Sequence, residues 1–478
     1  MRPNATPPAR PRPRPGPAPV AFPSVREPEG PRPVTLEGVA ADEGTARLER
    51  LADEIVFLDR SAFLPATCRP ATGLVRHEPV SPLLTAPPPP RPAHRTGART
   101  VAVAFAPEHG DHARAWAGQH GCPLLAPPAG ITARASDKID SLELLAEAGV
   151  AVPEHVVVPA DRQPSAAAHW PDGWDAAVLQ RRENNLAGRG TVPVDTPDAL
   201  PAALDAWAGH TLRLSRRVSG LPLTVSACAG ADRTVVSAVS HQLVGLPELT
   251  PGWGTHCGNQ LLDDTDLSAP LLSRVRDTAR AVGDVLRRHG FRGVFGLDLV
   301  VGDGTPVVIE INPRFQTVAS LAQAAETAAG LLPLLGLHVL ACLLPELPPV
   351  RATTRPVPRL AQLVVHARRP GNVTGLPRPG HYRLTGKGPL ELLGPLEGTG
   401  TFEETALPDP LPRQEAGTAL LWPHASPGPV LPGDELALVQ TGHHLCDVSP
   451  RPALGPWGRS WTERLLTQEI RTTTGDPV

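Results

Sequence analysis

The sequence contains almost no lysine. Lys138 and Lys387 are the two lysines among its 45 basic residues, and all the others are arginine. The two side chains differ in shape and hydration, so a lysine retained in such a chain is expected where a compact ammonium group is needed. Both lysines are therefore candidates for a functional role on composition alone.

Other absences exclude whole classes of protein. No uninterrupted apolar run approaches the ~20 residues of a membrane-spanning helix, and the first residues lack an apolar signal segment. The six cysteines contain no C-x-x-C pair, which argues against a zinc site and against a disulfide framework. The formal net charge of −3 does not indicate the basic surface that nucleic-acid-binding proteins usually have. We therefore expect a cytoplasmic protein that binds neither nucleic acid nor membranes, and the oligomeric state is left open.

The length of 478 residues predicts several domains. Residues 1–33 hold twelve prolines and six arginines without periodicity, which predicts a disordered or polyproline-like arm. An arm that docks a partner is the functional alternative to a passive tail. We predict a small α/β domain over residues 34–130, a larger domain over 131–350 and a small β-rich domain over 351–478.

Apolar periodicity and turn residues predict the main helices and strands. Helices are expected at residues 46–58, 111–120, 137–148 and 269–289 and from Val318 onwards, the third of them capped by Ser136 and ended by Gly149. Strands are expected at residues 100–105, 155–158, 176–179, 212–214, 223–228 and 234–239, and further along at 360–366 and 435–440. The proline run 87–90 predicts a linker or rigid loop.

The strongest functional signal is a predicted hairpin within residues 293–314. Two apolar runs flank Asp303–Gly304, a dipeptide typical of tight turns. A turn centred on Gly304 places Asp298 directly opposite Glu310, with Cβ atoms roughly 4.5–5.5 Å apart. Because side chains alternate along a strand, Asp298, Glu310 and Asn312 share one face of the hairpin.

The other face of this hairpin is expected to pack on the core. It carries Leu297, Leu299, Val301, Ile309 and Ile311. On the polar face, two unpaired carboxylates at ~4 Å repel by about 4 kcal/mol at an effective dielectric constant near 20. A bound Mg²⁺ (or Mn²⁺) would remove that repulsion, and oxygen ligands suit it. The alternative is a solvated polar face or one neutralised by nearby arginines.

The hairpin ends in Glu310-Ile-Asn312-Pro-Arg314, which resembles the ATP-grasp superfamily of D-alanine ligases, carbamoyl-phosphate synthetases and biotin carboxylases. The resemblance implies that Asp298, Glu310 and Asn312 hold magnesium. It implies that Arg314 lies beside the transferred phosphoryl group or the acyl intermediate, where its cationic fork suits an anion. It also implies that Lys138, which follows the small α/β domain, reaches the phosphates of ATP.

The resemblance further implies a glycine-rich loop between two strands. Residues 183–191 contain Gly188, Gly190 and Thr191. Glycine lets backbone N–H groups approach phosphates closely, although such a loop is often an ordinary turn. The P-loop pattern is absent.

Two positions depart from the superfamily pattern. Gln180 stands where many members carry a second nucleotide-binding lysine, and Arg181 is the candidate to supply the missing charge. The hinge segment 215–220 contains Arg217, a further nucleotide-binding candidate, but lacks the usual glutamate. Together with the β-rich end, these features are most similar to ATP-grasp ligases of actinobacterial natural-product pathways, such as the pheganomycin-type peptide ligases.

The implied fold is α/β, with an α+β ATP-grasp domain after the small α/β domain and before the β-rich domain. The implied reaction uses Mg-ATP to convert a carboxylate into an acyl phosphate, which an amine attacks to give an amide or peptide bond. The substrates would be small-molecule or peptide carboxylates and amines, with Lys138 and Arg314 as catalytic residues. His256 and Asn259, in a polar loop predicted over 254–259, either face the acceptor or merely shape the loop.

Two alternatives from other classes remain at this stage. A nucleotide-binding homologue without ligase activity would bind ATP and release no ADP with any substrate. A proline-rich interaction protein would lose its function with residues 1–33 and keep it after a change of Glu310.

Overall fold

The computed structural model describes residues 32–59, 64, 74–79, 98–108, 111–160, 170–183, 190–385, 389–395 and 415–473. Residues 1–31 of the predicted arm, the proline run 87–90, Gly188 and Lys387 lie outside these ranges. Strand structure begins at Arg32, before the predicted end of the arm. Within the described residues, no helix has the length and apolar character that crossing a membrane requires.

The first part of the chain builds a parallel sheet. Its elements are β1 (Arg32–Val39), α1 (Ala41–Leu51), β2 (Glu54–Asp59), β3 (Val75–Pro79), β4 (Thr100–Ala104), α2 (His112–His120) and β5 (Leu124–Leu125). Strands β2 to β5 pair in the order β3-β2-β4-β5. This confirms the strand and helix expected within 100–120. The helix expected over 46–58 is wrong in its second half, because residues 55–58 are a buried strand, and a short apolar run has no periodicity that distinguishes the two.

The next part forms a four-stranded antiparallel sheet. Its elements are α3 (Ala129–Ser136), α4 (Ser141–Glu147), β6 (His155–Val158), β7 (Ala177–Arg181), β8 (Thr191–Val194), a 3₁₀ turn (Pro197–Ala199), α5 (Leu200–Asp205) and β9 (Leu212–Arg216). The strand order is β6-β9-β7-β8. The predicted start of the helix over 137–148 is wrong, because Ser136 ends α3 and the Asp137 carboxylate accepts the backbone N–H groups of Ile139 and Asp140, each at 2.8 Å. Gly149, at φ 65°, follows α4 as expected.

The middle of the chain carries the predicted hairpin and its covering helices. Its elements are β10 (Leu221–Ala229), β11 (Thr234–Val244), β12 (His256–Leu261), α6 (Ala269–Arg288), β13 (Gly293–Gly302), β14 (Thr305–Asn312), α7 (Ala319–Ala328) and α8 (Leu334–Leu343). Helix α6 buries Leu272, Val275, Ala279, Val282 and Leu286, which confirms its predicted apolar face. The polar loop expected over 254–259 is wrong from His256 onwards, because β12 pairs with β11.

The remaining elements are mostly strands, as expected. They are β15 (Val350–Val357), β16 (Ala361–His366), β17 (Gly371–Gly375), β18 (Gly380–Arg383), β19 (Glu391–Pro395), β20 (Thr418–Pro423), β21 (Gly428–Val430), β22 (Glu435–Thr441), α9 (Pro456–Arg464), a π-helical turn (Leu465–Glu469) and β23 (Arg471–Thr473). Strands β1 and β15 pair with each other, and β17 pairs with β21 and β23. The predicted domain boundaries stay predictions.

One antiparallel sheet joins the hairpin to the last part of the chain. Its ten strands run in the order β14-β13-β10-β11-β12-β16-β22-β20-β18-β19. The β12–β16 pair is the link, since it connects strands from the two sides of the predicted boundary at residue 350. The predicted site residues of the hairpin therefore lie at one edge of a continuous sheet.

Candidate active site

The β13–β14 hairpin brings the two predicted acids together. Asp298 pairs directly with Glu310, as expected. The turn is formed by Asp303–Gly304, both with positive φ, and Gly302 pairs with Thr305 across it. The turn centre therefore lies between Asp303 and Gly304 instead of on Gly304.

A bulge at Ile309 corrects the register between the turn and the acids. Leu299 pairs with Val308, whereas the preceding residue of β13 already pairs with Glu310. The expectation that Ile309 packs on the core is therefore wrong: Val308 occupies that place and is fully buried, and Ile309 lines a cavity. A bulge of this kind redirects side chains while it keeps the strands paired.

Neutral donors surround the Asp298 carboxylate. Thr224 Oγ1 and Gln316 Nε2 donate to Asp298 Oδ1 at 2.9 and 3.1 Å. Asn312 Nδ2 donates to Asp298 Oδ2 at 3.2 Å and to Glu310 Oε1 at 3.3 Å. The three predicted metal ligands therefore converge, and within the described residues Asp298 forms no ion pair.

The charges at this point are unbalanced. Burial and the facing Glu310 carboxylate raise the pKa of Asp298. Burial acts in the same direction on Glu310, but contact with the Lys138 ammonium holds the pKa of Glu310 below its ordinary value. A hard divalent cation would balance the second carboxylate, and carboxylate oxygens are suitable ligands for Mg²⁺. Asn312 turns its NH₂ group towards the acids and its Oδ1 towards Arg314, so its amide would have to turn over to add an oxygen ligand. The two carboxylates therefore fit such an ion.

A turn between α3 and α4 directs Lys138 towards the acids. The Lys138 N–H donates to Arg182 O at 3.0 Å, and Arg182 Nε donates to Asp137 Oδ2 at 2.7 Å. The Lys138 ammonium forms an ion pair with Glu310, and its side chain is 7% exposed. Lys138 thus stands beside the predicted metal ligands, inside the same cavity.

Arg314 is held in place by three groups. Its NH2 nitrogen donates to Asn312 Oδ1 at 3.2 Å, and NH1 donates to Phe315 O at 2.9 Å. Its Nε lies 2.8 Å from Glu108 Oε1 in a buried ion pair. Burial raises the pKa of Glu108, and the Arg314 charge opposes that shift. Glu108 was not among the predicted site residues. Its place just after β4 was a signal, because site residues gather at the carboxyl ends of parallel strands.

A cavity of about 1500 Å³ contains the whole arrangement. Every predicted site residue that the structure describes lines it, namely Lys138, Gln180, Arg181, Gly190, Thr191, Arg217, Asp298, Glu310, Asn312 and Arg314. His256 and Asn259 line it too, and the His256 ring hydrogen-bonds Asn259 Oδ1 at 2.6 Å. Burial lowers the pKa of His256 and so favours its neutral form, whereas the hydrogen bond to Asn259 acts in the opposite direction. Gly188 lies outside the described residues.

The charge beside Gln180 comes from an unexpected residue. Arg181 Nε donates to Glu183 Oε2 at 3.2 Å. The guanidinium that contacts Gln180 belongs to Arg213, which the sequence analysis did not name. Arg213 is the one charged side chain within the apolar segment 212–214, and that was the available signal. Of the other predicted nucleotide contacts, Arg217 NH1 donates to Asp195 Oδ1 at 2.5 Å.

Comparison with known proteins supports this fold. Residues 135–318 match the sequence model of the ATP-grasp domain. The expected fold class, an α+β ATP-grasp domain within an α/β chain, is confirmed. No curated protein sequence matches the chain.

The similar solved structures are distant in sequence. N5-carboxyaminoimidazole synthase from Aspergillus clavatus, in complex with ADP and 5-aminoimidazole ribonucleotide, is 13% identical with a TM-score of 0.52, covering 87% of this chain and 97% of its own. An L-amino acid ligase from Bacillus licheniformis is 10% identical with a TM-score of 0.49, covering 89% of this chain and 99% of its own.

Proposed function

We propose that this chain is an ATP-dependent carboxylate–amine ligase of the peptide-forming type. The observation that carries the proposal is the convergence of Asp298, Glu310 and Asn312 in a large cavity, with Lys138 and Arg314 beside them. The match of residues 135–318 to the ATP-grasp domain supports ATP as the nucleotide. The similar Aspergillus structure contains ADP, which agrees with this assignment.

The acids and the amide are the residues that would hold Mg²⁺ (or Mn²⁺). When bound, such an ion supplies positive charge that stabilises a phosphoryl group in transfer. Lys138 would contribute a second positive charge on the phosphates, because its ammonium already reaches Glu310. Thr224 and Gln316 orient the Asp298 carboxylate by donating to the same oxygen, so the ligand set is held before substrates bind.

The proposed reaction has two steps. A carboxylate oxygen of the first substrate attacks the γ-phosphorus of ATP, the bond to the bridging oxygen breaks, and ADP leaves. The amine of the second substrate then attacks the acyl carbon, phosphate leaves with the electrons of the carbon–oxygen bond, and the nitrogen loses a proton. Arg314 would bind the anionic intermediate, since Glu108 and Asn312 fix its guanidinium at the edge of the site.

Finer assignments belong to this proposal as well. Nucleotide contacts are proposed for Gln180, Arg181, Gly190, Thr191 and Arg217, which share the cavity. The same role is proposed for Gly188 on its sequence position alone. Similarity to the pheganomycin-type ligases, and with it a place in natural-product biosynthesis, rests on Gln180, the arginine-rich segment 215–220 and the β-rich end of the chain.

The test is substrate-dependent release of ADP. The protein is incubated with Mg-ATP and pools of amino acids and small peptides, and ADP and new amide products are measured. A ligase releases ADP only when both a carboxylate and an amine are present. A nucleotide-binding homologue, suggested by the absence of a lysine at position 180, binds Mg-ATP and releases no ADP with any pool.

A further inference from the structure

Gln180 and Arg213 face each other across two strands. Strand β7 pairs with β9 so that Gln180 lies directly opposite Arg213, and β8 places Thr191 on the other side of Gln180. Paired residues of neighbouring strands project from the same face of a sheet. All three side chains therefore form one row, and this row lines the cavity.

Arg213 is a buried cation whose counter-charges, Glu310 and Asp137, lie beyond direct contact. It is 2% exposed, and no carboxylate of the described residues lies within ion-pairing distance of it. Its guanidinium donates instead to neutral oxygens, including Lys138 O at 2.8 Å and Ile309 O at 3.2 Å. Burial lowers the pKa of Arg213 to about 10, so the group is still charged at pH 7. Glu310 and Asp137 offset only part of the effect of burial. A buried charge without a partner in direct contact is costly, and an anion in the cavity would relieve that cost.

The guanidinium also fixes the orientation of the Gln180 amide. Arg213 Nε donates to Gln180 Oε1 at 3.1 Å, and its NH2 nitrogen donates to the same oxygen. The opposite orientation would set the amide NH₂ against guanidinium donors, which cannot accept. Gln180 therefore presents its NH₂ group towards Thr191, whose Oγ1 lies 3.4 Å from Nε2. Two donors on one amide oxygen also polarise the NH₂ group and strengthen it as a donor.

We infer that Gln180 and Arg213 act as one anion-binding unit for the phosphate oxygens of the nucleotide. Gln180 provides the contact through its amide NH₂ group, and Arg213 provides the positive charge from behind it. The inference rests on the proposed function, because it takes the nucleotide from there. It explains how the chain replaces a lysine ammonium at position 180 with a neutral side chain.

If the two side chains act as one unit, the effect of adding a charge at position 180 depends on whether position 213 is charged. Gln180→Lys would place an ammonium group against the buried guanidinium of Arg213, and the two positive charges would repel. We therefore expect a lower unfolding midpoint and at least tenfold weaker Mg-ATP binding. Adding Arg213→Gln to Gln180→Lys removes the repulsion and should recover most of both losses. Arg213→Gln alone should weaken Mg-ATP binding by tenfold or more, so the recovery in the double variant is a direct sign of coupling.

Gln180→Glu separates binding from folding. The new carboxylate would form a buried ion pair with Arg213, so the variant should unfold at or above the wild-type midpoint without nucleotide. It offers no donor and repels phosphate, so Mg-ATP affinity should fall by at least tenfold. If the pair were merely structural, Gln180→Glu would keep the unfolding midpoint and also keep its affinity for Mg-ATP. Arg233→Gln, an exposed arginine outside the cavity, is the matched control and should change neither quantity.

The measurements are urea unfolding without nucleotide and calorimetric titration with Mg-ATP. The inference is overturned if Gln180→Lys alone matches the wild type in both, if the double variant binds Mg-ATP no better than Arg213→Gln, or if Gln180→Glu keeps wild-type affinity. If the wild-type protein binds no Mg-ATP, the proposed function and the proposed ligand of Gln180 and Arg213 are both wrong. In that case the unfolding midpoints would still show whether the two side chains are coupled.

Discussion

The β13–β14 hairpin and the Gln180–Arg213 pair differ in the sign of their excess charge. At the hairpin, the carboxylates of Asp298 and Glu310 face each other, and the Lys138 ammonium forms an ion pair with one of them, Glu310. At the pair, the guanidinium of Arg213 is 2% exposed, and Glu310 and Asp137 act on its charge from beyond direct contact. The two regions adjoin, because Arg213 also donates to Ile309 O in the hairpin at 3.2 Å. The cavity therefore places acidic and cationic side chains next to each other, which suits a metal–nucleotide complex.

The two regions also differ in how the chain assembles them. The acids and the amide of the hairpin come from one continuous segment, residues 293–314, joined by a two-residue turn. The pair comes from strands β7 and β9, whose partner residues are 33 positions apart along the chain. A local hairpin fixes its own register, whereas the pair depends on a tertiary arrangement of strands. Substitutions of the hairpin acids should therefore reduce turnover most, and substitutions outside the cavity should reduce it least.

Asp298→Asn should cause the largest loss. The variant keeps the shape of the side chain but removes one of the two hairpin charges, so ADP release should fall by at least about 100-fold. Asp303→Asn is the matched control in the same hairpin, because it sits in the exposed turn and asparagine tolerates its φ of 50°. Comparable losses in both variants would show that the hairpin acts through its fold and not through its charges.

Lys138→Ala should have the next largest effect. Loss of a charge-assisted contact worth about 1.5–3 kcal/mol should weaken Mg-ATP binding by roughly 10–100-fold. Lys138→Arg should recover only part of this, because a branched fork does not replace a compact ammonium. Lys387→Ala is the control. A greater loss of ATP affinity in Lys387→Ala than in Lys138→Ala would refute the proposed contact of Lys138 with the phosphates.

Glu326→Gln should leave turnover unchanged and alter stability. Glu326 lies on α7, accepts the Leu334 N–H at 2.8 Å and contacts the Ser237 hydroxyl. Burial raises its pKa from 4.5 to about 8. The folded protein therefore retains a proton that the unfolded chain releases, so the free energy of unfolding should decrease between pH 4.5 and pH 8, by at most about 5 kcal/mol.

The glutamine variant removes this pH dependence, because it cannot ionise. Its free energy of unfolding should exceed that of the wild type at pH 8 and approach it near pH 4.5. Urea unfolding across this range measures the effect. Glu463→Gln, at an exposed position on α9, should keep the wild-type slope, and an identical slope in Glu326→Gln would contradict the assignment.

Local patterns predicted the hairpin well and failed where tertiary structure decides. The pairing of Asp298 with Glu310 was correct, although the bulge at Ile309 compensated for a misplaced turn centre. A bulge leaves no reliable mark on apolar alternation, so the place of Val308 in the core could not be predicted. The buried strand at residues 55–58 was taken for helix for a related reason, since its covered faces erase the alternation.

Long-range contacts account for the rest of the site. Glu108 reaches Arg314 because the Phe315 N–H donates to Phe105 O at 3.2 Å, which ties the end of the hairpin to the first parallel sheet. Arg213 reaches Gln180 only through the β7–β9 register. The place of Glu108 after β4 and the charge of Arg213 within an apolar segment marked both residues, but only the structure shows which partners they contact.

The most direct test of the central claim is ADP release by Glu310→Gln. Glutamine keeps the shape and removes the charge that Lys138 contacts, so the variant should remain folded, and relief of the repulsion from Asp298 offsets the lost ion pair. If Asp298, Glu310 and Asn312 hold a divalent cation for phosphoryl transfer, substrate-dependent ADP release should fall by orders of magnitude at saturating magnesium. Wild-type rates of ADP release by the folded variant would contradict the account.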